Sequence, residues 1–153
     1  MTDLGLGNRD YGHFSGEPIV KMLLQGRNVL VMSEETYTDP DGAVWWIKAG
    51  DTSDGASIPQ ALWPVVGGPF EGVYRIAALF HDRACKYYKT IEERKAADRM
   101  FRSASLCAGA TVEQADALYA GVSIGTLEAE QEGRTHGEKV AVAVVPDDPR
   151  GWH

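Results

Sequence analysis

The most constraining feature of this chain is a change of pattern near residue 50 of 153. Before it, apolar residues come in short runs split by Gly- and Pro-containing turns. After it, they recur at helical spacing behind capping signals. Ile19 to Leu24 and Asn28 to Met32, separated by Gln25-Gly26-Arg27, read as a hairpin. Asp39-Pro40-Asp41-Gly42 is a turn, and Ala43 to Ala49 is the strand that leaves it. Past residue 50, Ser57 stands as a helix N-cap ahead of Pro59, and Ala61, Leu62 and Trp63 sit on a short helix interrupted by Pro64. A central helix is predicted over 72–88, with Val73, Ile76, Ala77, Phe80, Ala84 and Tyr87 on one face. Capping boxes at Thr90-Ile91-Glu92-Glu93 and Thr111-Val112-Glu113-Gln114 open two more helices. Gly121 and Gly125 weaken the last helix or permit close packing on it.

The predicted fold class is α+β, with an N-terminal antiparallel sheet packed on three or four helices. One domain is expected over residues 18–125. It lies between an irregular glycine-bearing arm at 1–17 and a polar arm at 126–153, the latter with a possible strand at 140–145. A chain of this length buries roughly two-thirds of its unfolded surface without covalent staples. Cys85 and Cys107, in helical stretches and without C-x-x-C spacing, read as reduced thiols suited to a host cytoplasm.

The formal net charge is −7, which argues against a general nucleic-acid coat or an electrostatic membrane binder. That charge is uneven: residues 71–103 hold 8 basic and 5 acidic side chains, a local cationic surplus. No apolar run approaches a membrane span, so insertion is not expected. The Met1-Thr2-Asp3-Leu4-Gly5 start lacks the basic and apolar regions of a secretory signal peptide.

Asp54, His81, Asp82 and Asp98 are polar residues set among apolar ones. A buried carboxylate without a partner costs several kcal/mol, so Asp82 and Asp98 need a cation, a donor or a metal. One imidazole with two or three carboxylates suits a divalent metal that activates water, through Asp54, His81 and Asp98. It equally suits metal-free acid/base work with His81, Asp82 and Asp54 as the reacting groups. The oxygen-rich set favours Mg, Mn or Ca, with Zn the softer option. Ser57 and Arg75 are candidate supporting residues, and Trp63 is a candidate binding residue. The structural alternative is that Asp54 caps a turn, His81 bonds a buried carbonyl, and the aspartates pair with Arg75, Arg94 or Arg99. His13, His136 and His153 lie in polar or terminal segments and read as solvated. Of adjacent Trp45 and Trp46, at least one belongs to the core, because neighbouring strand residues face opposite ways.

Gly55-Ala56-Ser57-Ile58-Pro59 lacks the closing glycine of a nucleophile elbow. His81-Asp82 lacks the upstream helical histidine of an HD phosphohydrolase. Taken in order, Asp54-Gly55-Ala56-Ser57-Ile58-Pro59, Leu62-Trp63, His81-Asp82, Ala97-Asp98 and Phe101 resemble the family called domain of unknown function 1353, of tailed phages, prophages and bacteria. The resemblance covers roughly residues 28–125. The family pattern has Thr where Ser53 stands and an aromatic residue where Arg83 stands. It implies a phage setting, in which Asp54, Ser57, His81, Asp82 and Asp98 recur together. Two functions follow as expectations. One is an accessory hydrolase acting on the bacterial envelope. The other is a non-enzymatic virion or tail protein, in the baseplate or tail tip, that docks on other phage proteins through residues 1–17 and 126–153.

Overall fold

The computed structural model describes residues 7–24, 28–54, 60–67 and 74–133. Over these residues it is an α+β mixture in which six short strands form two sheets and four α-helices follow them in the chain. The strands are β1 (His13–Phe14), β2 (Val20–Met22), β3 (Val29–Val31), β4 (Glu35–Thr38), β5 (Val44–Ile47) and β6 (Thr52–Ser53). The helices are α1 (Trp63–Val66), α2 (Arg75–Tyr87), α3 (Ile91–Cys107) and α4 (Val112–Gln131).

The strands divide into two antiparallel sheets, β1-β4-β5 and β2-β3-β6, where the sequence suggested one. The division follows from the turns. Asp39 Oδ1 accepts the backbone N–H of Asp41 and of Ala43, each at 2.9 Å, while Gly42 takes φ +90°. That geometry folds β4 tightly onto β5, pairing Tyr37 with Trp45 and Glu35 with Ile47. β3 bonds instead to β2 and β6, with Val29 opposite Ser53. β6 is thereby held where it meets α2.

The N-terminal arm is more ordered than its glycines suggest. Asn8 N–H donates to the Cys107 carbonyl at 2.7 Å, at the C-terminal end of α3. β1 then pairs with β4, and Phe14 enters the core against Tyr37 and Phe80, with ring centroids 5.0 and 5.8 Å away. Gly12 is required at its bend: its φ is +100°, and a Cβ there would stand 2.2 Å from the Thr38 carbonyl.

Pro64 does not interrupt a helix as expected. A 3-10 turn at Gln60–Leu62 leads into α1, and Pro64 occupies the first turn of α1, where a missing N–H costs nothing. α2 is the central helix, buried at Ala77, Ala78, Leu79, Phe80, His81, Arg83 and Ala84. Thr90 caps α3 through Glu93 N–H, but the Glu93 carboxylate takes the Lys89 N–H, one residue outside the usual box. The box at Thr111 and Gln114 is complete, with bonds of 3.0 and 3.1 Å. α4 continues to Gln131, six residues past the expected domain edge. Residues 1–6, Ser57 and the 140–145 run lie outside the described residues.

Trp45 packs on the core, and Trp46 carries Lys48 Nζ 4.2 Å above its ring. Trp63 packs against the core as well. Among the described residues, no helix is long and apolar enough to cross a membrane.

Candidate functional site

Successive residues on a helix point about 100° apart, so three neighbours on α2 address three different regions. His81 points inward, 5 % exposed, to α3 and α4. Its Nε2 meets Asp98 Oδ1 at 2.8 Å. The other carboxylate oxygen, Asp98 Oδ2, accepts from Thr126 Oγ1 at 2.5 Å, and Thr126 Oγ1 accepts from Arg94 Nε at 3.1 Å. A buried relay therefore runs from Arg94 through Thr126 and Asp98 to His81. Gly125 belongs to its construction, because a Cβ there would lie 3.3 Å from an Arg94 nitrogen. The His81 ring also packs on Phe101, with centroids 4.8 Å apart.

Asp82 points the other way, to β6. Ser53 Oγ donates to its Oδ2, and the Asp54 N–H approaches the same oxygen at 3.3 Å. One turn on, Lys86 Nζ donates to the Thr52 carbonyl and hydroxyl at 2.7 and 2.9 Å. These groups line an open pocket of about 300 Å³, together with Asn28 and Cys85. Arg83 points to a third region. It is 1 % exposed, and its Nη1 reaches both oxygens of Asp51 at 2.5 and 2.6 Å. Its guanidinium lies 4.8 Å from the Tyr87 ring centroid. Arg83 thus serves the β5–β6 connection and is not among the residues that line the pocket.

Two of these groups depart from their ordinary titration. Burial holds the Asp82 carboxyl above its usual range; the Asp54 charge adds to that, and the Ser53 hydrogen bond opposes it. Burial disfavours the charged His81 ring, but the charge of Cys85 and the hydrogen bond and charge of Asp98 outweigh it. His81 is pushed up to about 10.

The expected metal set does not assemble. Among the described residues, no three of His, Cys, Asp and Glu are grouped to hold a metal ion. Asp98 spends one oxygen on His81 and the other on Thr126, while Asp54 is an exposed residue offering its N–H to Asp82. The residues therefore do not fit a metal centre. His81 and Asp98 do come together, as do Asp54 and Asp82. Arg75 is elsewhere: at the first turn of α2, it lines a separate groove with Pro18, Val20, Met22 and Ile76. Trp63 is a core buttress and does not line the pocket. The arginines expected to neutralise the aspartates do so only indirectly, through Arg94 and Thr126.

Four residues that shape the site escaped the sequence reading: Ser53, Cys85, Lys86 and Thr126. Cys85 carried a usable signal, since position i+4 from His81 shares its helix face. Its Sγ lies 3.6 Å from His81 Nε2 and 3.8 Å from Nδ1. Thr126 carried none, being 28 residues from its partner Asp98.

An α+β domain with a buried His–Asp pair behind a polar pocket is thus defined. A family model described as protein of unknown function (DUF1353) matches residues 29–122, so the chain belongs to that family. Two similar curated proteins come from Sinorhizobium fredii (strain NBRC 101917 / NGR234). The chain is 38 % identical over 78 residues to "Uncharacterized protein y4jT", covering 50 % of this chain and 23 % of that one. It is 31 % identical over 113 residues to "Uncharacterized protein y4iH", covering 73 % of this chain and 46 % of that one. The chain thus spans less than half the length of either relative. No solved structure matches.

Proposed function

We propose that this protein is a phage-type accessory hydrolase acting on a component of the bacterial envelope, by metal-free acid/base chemistry. The observation that carries the reading is Asp82, a largely buried carboxyl on the wall of an open pocket, held above its ordinary range. A carboxyl moved toward neutrality accepts and donates protons more evenly at working pH. Ser53 and the Asp54 backbone fix its orientation, and Lys86 supplies a positive charge at the same wall. His81 and Asp98 lie behind that wall and reach it by way of Cys85.

The test is release of soluble products from purified bacterial sacculi and envelope lipids by the full chain and by Asp82→Asn. Removing a general acid/base should lower the rate by about 100-fold or more with an unchanged circular dichroism spectrum. Equal rates in the two chains, or no release by either, would overturn the proposal.

A second reading, a virion or tail component, is favoured by one observation. Ile19, Val20, Met22, Leu24 and Met32 are exposed apolar residues concentrated at and around β2 and β3, as at a docking surface. Of the two segments expected to dock, residues 1–17 and 126–153, the first has its residues 8–14 fastened to the chain's own core. Stable incorporation into purified particles, with no hydrolysis, would favour this reading.

A further inference from the structure

The His81–Asp98 pair and the pocket are joined by one side chain that the acid/base reading leaves unused. We infer that Cys85 is a nucleophile, with His81 as its base and Asp98 as the residue that positions His81, and that the site transfers small acyl groups from esters or amides to water. This deepens the hydrolase reading and rests on it for the reaction class.

Three observations support the assignment. Cys85 is half-buried and lines the pocket, so its sulfur is accessible from the side where a ligand would enter. Its Sγ lies within 4 Å of both His81 nitrogens. Finally, the ring is oriented from behind. The Asp98 carboxylate only accepts hydrogen bonds, so the Nε2 facing it at 2.8 Å carries the proton. Nδ1, 3.8 Å from Sγ, carries the proton that the ring shares with the thiol. Thr126 and Arg94 hold Asp98 in turn, completing the order of nucleophile, base and orienting carboxylate. Cys107 is the internal contrast: it is buried, and its Sγ donates to the Gly12 carbonyl.

The chemistry balances without an added reactant other than water. The Cys85 sulfur attacks the acyl carbon with its proton already on His81. A C–S bond forms, and the bond to the leaving oxygen or nitrogen breaks as His81 returns the proton to that atom. Water, deprotonated by His81, then attacks the thioester, releasing the acid and restoring the thiol. A pocket of about 300 Å³ admits a small acyl donor, at the lower end of ligand-site sizes.

The test uses the full chain at pH 7, with iodoacetamide and p-nitrophenyl acetate as probes and peptide mass spectrometry as readout. Cys85 should be alkylated about 10-fold or more faster than N-acetylcysteine and faster still than Cys107. Acetyl label from the ester should appear on Cys85. Both signals should fall by about 10-fold or more in Asp98→Asn and in Thr126→Val, with folding checked by circular dichroism. The wild-type comparison with N-acetylcysteine needs no variant, so it stands even if a variant unfolds. Alkylation of Cys85 at the N-acetylcysteine rate, or absence of an acetyl adduct, would overturn the nucleophile. Failure here can be told apart from failure of the acid/base proposal. Envelope hydrolysis retained in Cys85→Ala but lost in Asp82→Asn removes Cys85 alone. Acyl transfer through Cys85 that is indifferent to Asp82→Asn upholds the nucleophile and removes the role of Asp82.

Discussion

Replacing His81 by Gln gives a sharp test of the buried relay, because it removes the charge while keeping a polar side chain. In the folded chain His81 titrates near 10, against 6.5 for an unperturbed histidine. A raised value in the folded state means that the protonated ring stabilises the fold. That contribution is complete below pH 6.5 and is lost as pH rises from there to about 10. One proton taken up preferentially by the folded state changes stability by at most about 1.4 kcal/mol per pH unit. Breaking a buried pair by removing one partner costs about 3–5 kcal/mol, a loss that this window can accommodate. Urea unfolding of both chains should therefore show a gap of about 3–5 kcal/mol at pH 6 that shrinks by about half or more by pH 10. Introducing Cys85→Ser into both should lower the pH at which the gap closes, since the Cys85 charge is one cause of the shift. A gap that stays constant from pH 6 to 10 would refute a protonated His81 in the fold.

Other outcomes follow from the same geometry. Asp82→Asn should raise the urea midpoint at pH 7 relative to wild type. Burial raises the Asp82 carboxyl, so its charge opposes folding above the ordinary carboxylate range, and an unchanged or lower midpoint would contradict that. Replacing both partners, Arg83→Met with Asp51→Asn, should be nearly neutral or stabilising in thermal melts, whereas Asp51→Ala alone, which leaves a buried guanidinium behind, should cost about 3–5 kcal/mol. Thr111→Ala should cost about 1 kcal/mol in the same melts, through loss of the α4 cap.

The sequence disclosed the helical half of this fold better than the strand half. Capping residues Thr90 and Thr111 act over three residues, so their helices begin where the local pattern says. Strand partners are chosen across the chain. The Asp39–Gly42 turn announces that β4 pairs with β5, but nothing between residues 28 and 53 announces that β3 pairs with β6. The same distinction divides the site. His81 and Asp98 stood out as polar residues on apolar helix faces, and they do meet. Arg75 had the right charge for a supporting role, but it sits at the wrong end of α2 to fill one. Ser53 and Thr126 are ordinary hydroxyls in sequence and become specific only when folding places each against an aspartate.

The three bearings of α2 also bear on how the pocket can meet a ligand. His81 engages α3 and α4 through Asp98 and Thr126, Asp82 is bonded to β6, and Arg83 grips Asp51. Rolling the helix about its own axis would strain all three attachments together, so the face presenting Asp82, Cys85 and Lys86 behaves as a fixed template. Accommodation to ligand shape falls to the opposing wall, where β6 is only two residues long and paired along one edge. Recognition on the α2 side is then selection by a preformed surface, which favours ligands that already match its spacing of acid, thiol and amine.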